Sequence, residues 1–196
     1  MKAISVKQPW AYLLCAGIKG IENRTWELPD KYKGKMVLIH ASAKWDDRHR
    51  NMSHLFTNDQ WEAMDENTRR IMAGGVLDTS AIIGSVVFTD CVINHQSVWA
   101  EKTHMAKLGE HELPSCLYPP YKPTYNWVAS DPILFDKPIP AKGKLSFWDF
   151  PNINSEKDEY GKEICCCNLG VSEKDQVLSY GGGDYRCKYC VGKWYK

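Results

Sequence analysis

Ala81-Ile82-Ile83-Gly84-Ser85-Val86-Val87-Phe88-Thr89-Asp90-Cys91-Val92-Ile93 is the strongest strand pattern in the chain. Its β-branched and aromatic residues suit a pleated, half-buried surface. Only Gly84 interrupts the run, and a glycine inside a strand marks a bulge or a sharp curl of the kind a closing sheet requires. Outward from this strand, Met36–Ala41 reads as a buried strand behind the Lys33-Gly34-Lys35 turn, and Ala3–Val6 as a short one. On the other side, Tyr125–Ala129 and Ile133–Phe135 read as two strands separated by an Asp131-Pro132 turn, and Leu145–Phe150 as the last.

Helical patterns are few. Pro9 suits a first helical turn, and Trp10, Leu13, Leu14 and Ile18 then recur at helical spacing until glycines at Gly17 and Gly20 stop them. Residues Lys44 to Asp78 read as helical: Thr57-x-x-Gln60 resembles a capping box, Trp61, Met64, Thr68 and Ile71 share a face, and Gly74-Gly75 ends the pattern. This segment is expected to cover the core as a lid. Asn94 to Lys122 reads as a loop whose His95, His104 and His111 share no spacing and make a weak metal set. Short strands with few helices between them predict an α+β fold, a small mixed β-barrel with flanking helices, and exclude a doubly wound sheet.

The 196 residues are 43% apolar, enough for one good core and a small appendage. A formal net charge of +1 excludes a protein that coats long nucleic acids by bulk attraction. The charge is uneven, however: residues 1–50 hold ten Lys or Arg against five Asp or Glu, leaving room for a local anionic ligand. No stretch reaches the roughly 20 apolar residues of a membrane span, and no basic start with an apolar core marks a signal peptide. A soluble, cytoplasmic protein without membrane partners is expected, and its eight cysteines are then not a disulfide framework.

The densest chemistry lies in Gly17-Ile18-Lys19-Gly20-Ile21-Glu22-Asn23-Arg24-Thr25-Trp26. If the strand begins after Gly20, the period of two places Glu22, Arg24 and Trp26 on one face, with Lys19 nearby. A carboxylate, a guanidinium, an ammonium and an indole together suggest a site; a buried pair that only fixes the strand is the structural alternative. Lys19, Glu22 and Arg24 are the candidate catalytic groups. Lys7, Gln8, Trp10, Asn23, Trp26 and His40 are the candidate ligand contacts, His40 because it ends an apolar strand, where sites tend to be built.

A polar run at residues 151–163 reads as a linker. The tail at residues 164–196 holds Cys165-Cys166-Cys167 and the Cys187-Lys188-Tyr189-Cys190 knuckle amid bases and aromatics. The C-x-x-C spacing suits half of a tetrahedral zinc site, with Cys165 and Cys167 the easier partners from the triplet. One structural zinc on Cys165, Cys167, Cys187 and Cys190 is the expectation, against a redox dithiol or free thiols.

Five ordered blocks together resemble the ASCH domains, a family related to the PUA fold. They are Ile4-Ser5-Val6-Lys7-Gln8-Pro9-Trp10; Gly17-x-Lys19-x-x-Glu22-x-Arg24-x-Trp26; Lys33-Gly34-x-x-x-Leu38-Ile39-His40-Ala41; the Gly84 strand ending Asp90-Cys91; and Pro138-Ile139-Pro140-x-Lys142-Gly143-x-Leu145-x-x-Trp148. The resemblance covers most of residues 2–150. It implies a compact PUA-like barrel over residues 1–150, a cleft lined by the Lys-Glu-Arg stretch, and RNA, a nucleotide or a modified nucleoside as partner. In the branch that resembles an N4-acetylcytidine amidohydrolase, a lysine falls at Lys19 and a threonine nucleophile falls where Glu22 stands. Glu22 lacks that hydroxyl, so hydrolysis would need it as general base on water, with Lys19 or Arg24 stabilising the oxyanion. Other members are described as ribonucleases; there Lys19 and Arg24 would hold the phosphate, and Glu22 or His40 would move the proton. A reader without chemistry is the competing class.

Overall fold

The computed structural model describes residues 1–45, 52–103 and 123–150, and the backbone of four further short strands. Six strands form one mixed sheet: β1 (Lys2–Val6), β2 (Ile21–Arg24), β3 (Met36–Ala41), β4 (Ala81–Val92), β7 (Tyr125–Pro140) and β8 (Phe147–Asp149), in the spatial order β2-β7-β4-β3-β1-β8. Among the described strands, only β1 and β3 pair in parallel. The extended loop read between Asn94 and Lys122 instead contains a hairpin of β5 (Met105–Leu108) and β6 (His111–Pro114).

The sheet curls at Gly84. The β3–β4 register shifts between Ile39 and His40, opposite Ile82 and Gly84, and the β4–β7 register shifts at the same place. Bulges raise the local twist and bend the strand. A side chain at Gly84 would place its Cβ 2.1 Å from the Ile133 carbonyl oxygen and 2.7 Å from Cys15 Sγ. The glycine therefore admits the first helix, α1 (Trp10–Cys15), onto the bent strand. Gly84→Ala is expected to lower unfolding free energy by at least about 1–3 kcal/mol, because backbone must move to make room, and urea denaturation reads this directly.

The result is a half-barrel and not a closed barrel. Among the described residues, no ladder joins β2 to β8, the two edge strands of the sheet. Side chains close the gap instead. Trp127 of β7 stacks on Phe147 of β8 with centroids 5.6 Å apart and planes 3° apart, and Trp26 meets both rings edge-on. Arg24 Nη2, at the end of β2, donates to the Ser5 carbonyl of β1 at 2.8 Å.

β7 is one strand of 16 residues, so the Asp131-Pro132 turn is a correction. Asp131 takes φ +46° and the register shifts nearby, making a bulge within the strand. β2 pairs as far as Val128 and Ala129 N–H still donates to Gly20 O at 2.9 Å, so Pro132 lies past the β2 ladder, where proline is tolerated. The lid segment also differs from one continuous helix. Its described residues form a 3-10 turn at Ser53–Leu55, α2 (Asn58–Glu62) and α3 (Glu66–Gly74). The Thr57–Gln60 capping box forms as read, but Asp65 starts a new helix by accepting from Thr68 N at 2.9 Å. Both helices join a second apolar cluster with Leu13, Ile21, Met52, Met64, Met72 and Trp99.

The linker and the cysteine tail lie outside the described residues, apart from the backbone of β9 (Gln176–Leu178) and β10 (Tyr185–Cys187), which pair antiparallel. Among the described residues, no helix is long and apolar enough to cross a membrane.

Candidate nucleic-acid interface

The end of α1 builds the site. Gly17 adopts φ +76°; its N–H donates to Leu14 O at 3.2 Å, and Ile18 N–H donates to Leu13 O at 3.0 Å. These two bonds are the Schellman pair that satisfies the last helical carbonyls. Lys19 N–H also donates to Leu13 O, which turns the chain back beneath the helix before β2 begins. Lys19 and Glu22 are thus brought together three residues apart, 3% and 5% exposed.

Glu22 is clamped from both sides. Its Oε2 accepts from Lys19 Nζ at 3.0 Å, and its Oε1 lies 2.9 Å from Arg24 Nε. The Arg24 Nε–H is not aligned for a hydrogen bond there, so this second contact is Coulombic. Burial pushes the Glu22 carboxyl up, but the charges of Lys19 and Arg24 together outweigh burial and hold it below the ordinary carboxylate range. The group is therefore ionised and a poor base. Arg24 also lies with its guanidinium carbon 5.9 Å from the Trp127 ring, and Lys19 Nζ lies 5.8 Å from the Trp10 ring.

Glu22 and Arg24 of this clamp floor an open cleft of about 1190 Å³ at the ends of β1 and β3. Exposed lysines stand around it: Lys7, Lys44, Lys142 and Lys144. Glu101 is the acidic residue on the same rim. A side cavity of about 400 Å³ opens beside it, lined by Lys19, Trp10, Trp99, Thr57 and Gln60. Trp10, Glu22, Asn23 and Glu101 border both spaces.

His40 stands in the wall of the larger cleft, 2% exposed. Its Nε2 lies 2.9 Å from the Ala141 carbonyl oxygen, to which it donates. Nδ1 is buried with no hydrogen-bond partner among the described residues. Gly143 packs so closely that a Cβ there would sit 2.4 Å from His40 Cε1.

Of the residues singled out in the sequence, Lys7, Trp10, Lys19, Glu22, Asn23, Arg24 and His40 meet at these cavities. Asn23 is largely committed to structure: its amide donates to Trp99 O and its oxygen accepts from Asn126 Nδ2 and Glu101 N. Gln8 and Trp26 line neither space. The buried Gln8 amide donates to Asp78 O at 2.8 Å and accepts from Tyr12 N at 3.0 Å. β2 ends at Arg24, so Trp26 leaves the shared face and packs on Trp127 at 4.6 Å. Sequence reasoning missed Ser5, Lys44, Glu101, Lys142, Lys144 and Trp99. Lys142 and Lys144 had a signal in the Lys142-Gly143-Lys144 run before the last strand; the others are gathered only by tertiary pairing.

Among the described residues, no group of three or more His, Cys, Asp or Glu could hold a metal. Cys165, Cys167 and Cys190 lie outside the described residues, and only the backbone of Cys187 is described, in β10.

Residues 4–139 match the model of the ASCH domain. Similar solved structures include the ASCH protein of Zymomonas mobilis, 13% identical with a TM-score of 0.41, covering 77% of this chain and 87% of that one. A tyrosine-to-phenylalanine mutant of ZmASCH from the same organism is 14% identical with a TM-score of 0.40, covering 77% of this chain and 90% of that one. No curated protein matches the sequence.

Proposed function

Because the chain belongs to the ASCH domain family, we propose that it binds a nucleic acid or nucleotide in the cleft above Lys19, Glu22 and Arg24, and reads this ligand without hydrolysing it. The observation that carries this reading is the compensated Lys19–Glu22–Arg24 clamp beneath a rim of exposed lysines. Lysines at a cleft mouth favour phosphates, and the Arg24 guanidinium, fixed by Glu22, offers directional donors beneath them. Trp10, bordering both cavities, supplies an apolar wall against which a base can rest.

Hydrolysis fits this arrangement less well. General-base catalysis wants a pKa raised toward neutrality, whereas the Glu22 carboxyl is held low and both its oxygens are occupied by cations. The carboxylate instead fixes Lys19 and Arg24 in position.

The test combines binding with product analysis. Single-stranded RNA is expected to bind with an affinity that falls as salt rises, and to be recovered intact, as are acylated cytidines. In Lys44→Ala/Lys142→Ala, affinity is expected to drop about tenfold. The slope of log affinity against log salt is expected to become shallower by roughly 0.7 for each phosphate that is no longer neutralised. Cleaved RNA or deacylated nucleoside that disappears in Glu22→Gln would overturn the reader.

A further inference from the structure

We propose that residues 142–146 form a contact for a nucleic-acid strand, in which Leu145 wedges against the bases next to the cleft while Lys142 and Lys144 hold the flanking phosphates. The ligand is then a strand of several nucleotides and not a free nucleotide. This inference rests on the cleft reading above and names the ligand class for the same site.

A singly exposed leucine is ordinary on a protein surface. Leu145 is not ordinary in its setting. It is 95% exposed, it lines the mouth of the cleft, and a cleft-lining lysine stands immediately before it and another three residues before. The backbone that carries it is held on several sides. Ala141 N–H donates to Ser80 O at 2.9 Å, Ala141 O accepts from His40 Nε2 at 2.9 Å, and Lys144 O accepts from Ser5 Oγ at 3.0 Å. Gly143 fits against His40 only because it has no side chain. Ser146 follows at φ +56°, a left-handed conformation costly for a residue other than glycine. The chain then enters β8 at Phe147, which is locked under Trp127. Leu145 is therefore presented to solvent by a pinned loop.

An apolar side chain between cations, at the edge of a cavity wide enough for a nucleotide, is the arrangement by which proteins part neighbouring bases while holding their phosphates. Exposed lysines also weigh against an uncharged apolar partner for this patch.

The experiment uses the full chain and adenylate hexamers carrying 2-aminopurine, in ribose and deoxyribose forms. With the wild-type protein, binding is expected to raise 2-aminopurine emission as the bases part. In Leu145→Ser the emission rise is expected to vanish and the affinity to fall about tenfold, while Leu145→Ile retains most of both. The two sugar forms show whether the wedge discriminates RNA from DNA. A hexamer that binds Leu145→Ser as it binds wild type, while losing affinity to Lys44→Ala/Lys142→Ala, overturns the wedge and leaves the cleft reading standing. A hexamer that binds no form of the protein overturns both. An acidic hexapeptide that binds as tightly and depends equally on Leu145 also overturns the wedge.

Discussion

Glu22→Gln is expected to lower the unfolding free energy by about 3–5 kcal/mol, measured by urea denaturation at neutral pH. The carboxylate is 5% exposed and is shared by an ammonium that is 3% exposed and a guanidinium in contact with it. An amide has the same shape but no charge, so Lys19 would remain buried and uncompensated. The double variant Lys19→Met/Glu22→Gln is expected to be less destabilised than the two single variants summed, because removing both charges removes that penalty. Acid provides a second readout. The folded Glu22 carboxyl is depressed below its ordinary value of 4.5. Its contribution is therefore present in full above that value and lost as pH falls through the lower, folded one. Between neutrality and pH 3 the wild-type protein is expected to lose more stability than Glu22→Gln.

Trp127→Ala is expected to cost a further comparable amount, about 3–5 kcal/mol in the same measurement. The ring is fully buried and stacks on Phe147, and it meets Trp26 and Phe88 edge-on at 4.6 and 5.2 Å. Its Nε1–H donates to Trp26 O at 3.2 Å. These contacts, with the Arg24 bond to Ser5, stand in for the missing ladder between the edges of the half-barrel. The variant is expected to lose near-ultraviolet circular dichroism from the cluster and to bind RNA more weakly, because Arg24 loses the ring it rests against.

Much of this arrangement can be read from local sequence. Gly84 inside a β-branched run announces the curl, the glycine after α1 announces the turn that brings Lys19 back, and the period of two places Glu22 and Arg24 together. Trp26 escapes the same rule because β2 stops two residues earlier and tertiary packing draws the indole toward Trp127. Pro132 reads as a breaker, yet it lies along the part of β7 beyond its pairing with β2, a circumstance set by strand order. Asp65 competes with continuation of the lid helix by capping a new one. Glu101, Trp99 and the Lys144–Leu145 rim come from segments far apart in sequence. β8 lies beside β1 only through the sheet's topology, and no local period encodes that neighbourhood.

Where the ligand sits is tested most directly by an NMR titration of the isotope-labelled full chain with single-stranded RNA. The expected result is saturable shifts at the amides of Ser5, Arg24, Ser42 to Lys44 and residues 141–146, with the hairpin of β5 and β6 unmoved. A titration that leaves the cleft amides in place, or that moves residues remote from it instead, would contradict the assignment of this cleft as the nucleic-acid site.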